Sequence, residues 1–79
     1  MMKQRILDIL ATLTGSDVVR LDPGIRLFDL GLLDSLQTVE LLIMLSDELG
    51  VEIAPSEIDR DVWATPAGII EFVCHKAAA

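Results

Sequence analysis

Ser35 is the residue best placed to take part in chemistry. It stands in the stretch Gly31-Leu32-Leu33-Asp34-Ser35-Leu36. Asp34 has the side chain of a helix N-cap, whose carboxylate accepts a backbone N–H from the first turn. Gln37 follows three residues later, so Asp34-x-x-Gln37 reads as a variant capping box. Ser35 then becomes the first helical residue. With the cap supplied by Asp34, its hydroxyl is free to face solvent. A phosphate ester built on it would sit at the positive end of the helix dipole.

As a nucleophile, Ser35 lacks help. There is no Gly-x-Ser-x-Gly elbow around it, and the only histidine is His75. A Ser–His pair would also need an orienting acid, an oxyanion hole and a substrate pocket, for which 79 residues leave little room. The hydroxyl therefore reads either as a site of modification or as an ordinary first-turn serine. Other candidates are weaker. Cys74 is the single cysteine, which excludes an internal disulfide and a cysteine metal cluster. No Asp-x-Asp-x-Asp-Gly loop is present, so no metal site is expected beyond weak divalent binding. Trp63 reads as a packing anchor just ahead of Thr65-Pro66.

The elements that must position Ser35 are helical. Ile6, Leu7, Ile9, Leu10 and Leu13 recur at helical spacing and predict a helix over 2–14, closed by Gly15. Residues 15–34 form a long connection with a turn at Asp22-Pro23-Gly24. Ile25, Leu27, Phe28 and Leu30 are too apolar for a free loop, so the segment is expected to lie across the core. A second main helix is expected over 35–49, ending at Gly50. Ser56 and Asp59 suggest a capping box and a short helix over about 56–61. Thr65-Pro66 is a strong helix start, and the last helix should run to about Lys76 with Ile69, Ile70 and Val73 inward and a frayed end over 77–79. The fold class is all-α: one domain over 1–79, a bundle of three main helices plus one short helix, with a long loop between the first two main helices.

On a helical wheel of 35–49, Thr38, Leu41, Leu42, Leu45 and Leu49 share one arc and form the core face. Leu36, Val39 and Ile43 fall nearly opposite. Three main helices cannot surround this one completely. An exposed apolar strip beginning beside Ser35 is expected, flanked by Glu40 and Asp47. Such a strip is a docking surface for a partner. The alternative is that the loop 15–34 covers it.

Composition narrows the classes further. Apolar residues make up 52% of the chain and aromatics only 4%, so the core must be aliphatic. Net charge is −7, and the window 29–61 alone holds nine acidic residues and one basic residue, Arg60, for −8. Nucleic acid and anionic membrane surfaces are repelled by such a charge, and a basic partner is attracted. No signal-peptide pattern is present, because Asp8 interrupts the apolar run after Lys3 and Arg5. The longest apolar run, Leu41 to Leu45, has five residues, against about 20 for a membrane span. A cytoplasmic monomer without membrane insertion is expected.

With these residues in place, the chain resembles the acyl and peptidyl carrier protein superfamily. The matching features are Leu-Phe-Asp-Leu-Gly at 27–31, Asp34-Ser35-Leu36, the helix Thr38-Val39-Glu40-Leu41-Leu42, and Thr65-Pro66. The resemblance implies that Ser35 receives 4′-phosphopantetheine from coenzyme A through a phosphopantetheinyl transferase, and that the protein does no chemistry of its own. It also implies that enzymes dock on the helix over 35–49 and the loop before it. Leu13-Thr14-Gly15-Ser16-Asp17, Gly31 to Ser35, and Asp59 to Pro66 look like the D-alanyl carrier proteins. In that family a D-alanine–carrier protein ligase loads the cargo, and a membrane O-acyltransferase passes it toward teichoic acids. Leu36 stands where that family usually has Phe or Met, and Ile58 where it usually has Phe. A general acyl or aminoacyl carrier of a fatty-acid or secondary-metabolite pathway is the alternative. A non-carrier acidic interaction module is a third possibility.

Overall fold

The computed structural model of the chain describes residues 2–78. Three long helices carry the fold: α1 over Met2–Thr14, α3 over Ser35–Leu49 and α4 over Pro66–Ala78. A single turn of helix, α2 over Val18–Leu21, interrupts the long connection. A 3-10 turn covers Pro55–Glu57. No strand is present among the described residues. The architecture is the expected all-α bundle, with one more short helix than the sequence pattern suggested. α1 is the hub and packs against α2, α3 and α4.

The core is aliphatic around one indole. Ile6 and Leu10 of α1, Leu41 and Leu45 of α3, and Ile69 and Val73 of α4 are buried together. Trp63 is fully buried, and its ring meets Phe72 edge-on at 5.5 Å between centroids. Its indole N–H has no hydrogen-bond partner among the described residues. A favourable edge-to-face pair and a large buried area outweigh one unmet donor.

The long connection crosses the core as expected, with Leu27 buried and Ile25 and Phe28 packed against it, but Leu30 is replaced by Leu33. Leu27 and Leu33 are buried, whereas Leu30 is 62% exposed. Gly31 explains the exchange. The chain turns helically after Arg26, where the Leu30 N–H donates to the Arg26 carbonyl. Gly31 then takes φ +71°, a left-handed value that is costly for any residue with a Cβ. That reversal lets the amides of both Leu32 and Leu33 reach the Leu27 carbonyl, at 2.9 and 3.1 Å. Leu33 swings inward and Leu30 is left outside. The connection is also tied to the start of α4: Leu27 N–H donates to the Ala64 carbonyl and Ala67 N–H to the Pro23 carbonyl. These bonds satisfy backbone groups that an unanchored loop would leave to water.

α4 begins as its sequence indicates. Thr65 Oγ1 accepts the Gly68 N–H at 3.1 Å, and Pro66 fills the first helical position. The helix continues through Ala78, past the expected end at Lys76; Ala79 lies outside the described residues. Gly68 is needed for close approach. A Cβ there would lie 1.8 Å from the Val62 carbonyl oxygen. The turn over 59–64 and the helix start can abut only because that atom is missing.

The short helix expected over 56–61 is instead the 3-10 turn over Pro55–Glu57. Ser56 does not cap it. Glu57 does, with Oε2 accepting the Ala54 N–H at 2.7 Å, while its other oxygen pairs with Lys76 of α4. The Lys76 ammonium, and next the Ala54 amide, hold the Glu57 carboxyl below the usual glutamate range. At the far end of α3, Arg5 donates to the Glu48 carbonyl at 2.8 Å. A cation at a helix C-terminus opposes the negative end of the dipole.

Candidate functional site

Ser35 opens α3 at its first helical position and is exposed. Asp34 is the N-cap. Its backbone is extended, and Oδ1 accepts the Gln37 N–H at 2.8 Å. The Asp34 carbonyl accepts both the Thr38 N–H and the Thr38 hydroxyl. Gln37 does not complete a capping box. Its side-chain amide reaches instead to the Leu13 carbonyl at 3.4 Å, tying the start of α3 to the end of α1. Among the described residues, the Ser35 hydroxyl makes no hydrogen bond. The first N–H groups of α3 point past it, as at any helix start.

Removing the cap tests this arrangement. Asp34→Ala will cost about 1 kcal/mol of stability. The expected readout is a lower urea midpoint with an unchanged m-value. Asp34→Asn retains an acceptor and will cost less.

The strip beside the serine lies open. Leu36 is 69% exposed, Val39 47% and Ile43 55%. The opposite face of α3, with Thr38, Leu41, Leu42 and Leu45, is buried. The loop over 15–34 therefore does not cover the strip. Glu40 and Asp47 are exposed, and neither joins an ion pair among the described residues. Arg60, the one basic residue in the acidic window, does not neutralise them. Its guanidinium stacks over the Phe28 ring at 4.4 Å from the centroid. Val39, Ile43 and Asp47 also form one wall of a groove of about 610 Å³ whose other wall is Glu52 to Pro55 and Glu57.

Among the described residues, no side chain bonds to the Ser35 hydroxyl to activate it as a nucleophile. His75 lines a separate groove with Asp61, Glu71 and Phe72, and no hydrogen bond joins it to Ser35. No group of three or more metal-ligating side chains occurs among the described residues. What the arrangement offers is a free hydroxyl, a positive helix end and an apolar landing strip. A phosphodiester fits such a hydroxyl: it is exposed, makes no hydrogen bond among the described residues, and stands at the positive end of α3.

Comparison with known proteins agrees. The family model for a phosphopantetheine attachment site matches residues 4–73. The D-alanyl carrier protein of Lacticaseibacillus casei (strain BL23) is 52% identical over 71 residues, covering 90% of this chain and 88% of that protein. Those of Enterococcus faecalis and Bacillus subtilis are 45% and 44% identical, over 90% and 86% of this chain and 91% and 87% of their own lengths. The chain belongs to the D-alanyl carrier protein family. As a member of that family it is a phosphopantetheine carrier and not a catalyst. Membership fits the all-α bundle. Among the described residues, no helix is long and apolar enough to cross a membrane.

Proposed function

We propose that Ser35 bears 4′-phosphopantetheine and that the chain carries D-alanine between enzymes. When bound, the group supplies a terminal thiol that holds the cargo as a thioester. The observation that carries this reading is the free, exposed Ser35 hydroxyl at the head of α3, directly beside an open apolar strip. Asp34 caps the helix so that Ser35 does not have to. Leu36, Val39 and Ile43 provide apolar contact for a docking enzyme. Glu40 and Asp47 attract its basic residues, which raises encounter rate and fixes register more than it adds affinity.

The partners under this reading are a phosphopantetheinyl transferase, a D-alanine–carrier protein ligase and a membrane O-acyltransferase that passes the cargo toward teichoic acids of a Gram-positive envelope. The carrier itself works as a cytoplasmic monomer and meets the membrane only through that transferase. Its acidic face supports this, since a net charge of −7 is repelled by anionic lipid.

Cargo choice lies with the loading enzyme, so loading is the test. The arm-bearing protein will accept D-alanine from an ATP-dependent ligase and will not accept L-amino acids or fatty acids from it. The measurement is the intact mass of the protein after incubation with each. Loading by a fatty-acid or L-amino-acid ligase, with none by the D-alanine ligase, would replace this reading with that of a general acyl carrier.

A further inference from the structure

We propose that the Lys76–Glu57 ion pair is a latch that holds one wall of the groove beside Ile43, making both residues positioning residues for enzyme docking. The inference rests on the docking reading above, but its structural half can be tested without it.

The two walls of the groove differ in kind. One is α3, whose Val39, Ile43 and Asp47 line the groove while Leu41 and Leu45 root the helix in the core. The other is the short turn after α3. Ile53 anchors it on one side and is buried. Ile58 anchors it on the other and is half-buried. Between them, Ala54, Pro55 and Ser56 are exposed. Three local hydrogen bonds shape the turn: Glu57 N–H to the Ala54 carbonyl, Ile58 N–H to the Pro55 carbonyl, and Ala54 N–H to the Glu57 carboxylate. None of these fixes where the turn sits relative to the bundle.

Between its two apolar anchors, the bond from Lys76 to Glu57 ties the turn to the bundle. It spans 19 residues of sequence and joins the turn to the last turns of α4. Among the described residues it is the only side-chain hydrogen bond or ion pair from this turn to a long helix. Glu57 thus has two duties. One oxygen closes the turn and the other moors it. The mooring also spends the nearby cation. Asp47 and Glu52 face the groove without an ion-pair partner among the described residues, so the groove presents apolar walls and free carboxylates to a basic, apolar partner. Freeing the turn would let Ala54, Pro55 and Ser56 shift relative to Ile43 and Asp47 of α3, and a partner would have to restore that order on binding.

The test compares Lys76→Ala and Lys76→Arg in the full chain bearing its arm. Amide hydrogen exchange at Ala54, Glu57 and Ile58 will speed up about two- to fivefold in Lys76→Ala, the range that one exposed ion pair can carry. Lys76→Arg keeps the charge and will stay near wild type. In ligase loading, the KM for the carrier will rise by a similar factor in Lys76→Ala with kcat unchanged. Unaltered exchange in Lys76→Ala overturns the latch. Faster exchange with an unchanged KM overturns its link to docking. Equal effects in both variants overturn the ion pair as the cause. A wild-type chain that the D-alanine ligase does not load overturns the proposed function, and the exchange data still decide the latch.

Discussion

Ser35→Ala will gain no mass when incubated with coenzyme A and a phosphopantetheinyl transferase, while the wild-type chain gains one arm. The effect is all or none, because the substitution removes the oxygen to which the phosphate would be joined. No other serine stands in an equivalent position. Ser16, Ser46 and Ser56 are the remaining serines, and none opens a long helix. Ser46 lies inside α3, Ser16 precedes the single turn α2, and Ser56 lies in the 3-10 turn. The variant will fold normally. Asp34, not Ser35, accepts the Gln37 N–H, and the Ser35 hydroxyl has no partner among the described residues to lose. An exposed change of this kind stays within about 0.5 kcal/mol. Circular dichroism and the thermal midpoint should therefore match wild type. Unchanged stability with zero modification separates a lost attachment point from a lost fold. Added mass on the variant would place the arm elsewhere and sink the assignment.

The helix that carries this residue was legible in the sequence at both ends. Asp34 at its head and Gly50 past its tail are local signals, and the buried and open faces follow from the wheel alone. Local chemistry also announced α4 through Thr65-Pro66. The misreadings come from competing partners, some distant in sequence and some within one turn. Gln37 looked like half of a capping box, but its amide found the Leu13 carbonyl across the helix pair. Ser56 looked like a cap, but Glu57 closed the turn and found Lys76. Leu30 and Leu33 are equally apolar, and only the turn around Gly31 decides which one goes inside. Hydrophobic period and cap chemistry are written in consecutive residues. The choice among several competing partners is settled only by packing, which the order of residues does not display.

Leu36→Asp and Ile43→Asp will each lower kcat/KM for ligase loading by about thirtyfold or more, through KM, without unfolding the protein. Both side chains are more than half exposed in the free chain, so neither belongs to its core. In water an aspartate at either position costs little. At Leu36 it even falls in the first turn of α3, where the helix dipole favours a negative charge. The expense arises only on docking. There the carboxylate must shed its water against an apolar partner surface, and burying an unpaired charge in an interface costs about 2–5 kcal/mol. The same argument marks the control. Leu41→Asp places the charge in the fully buried face of α3 and will unfold the chain rather than only uncouple it from the ligase. If helicity and the thermal midpoint collapse in Leu36→Asp or Ile43→Asp as they do in Leu41→Asp, the strip is core and not a docking face. If stability and loading both stay at wild-type values, enzymes dock elsewhere on the carrier. Loss of loading with the fold intact is the outcome that ties the open face of α3 to the work of Ser35.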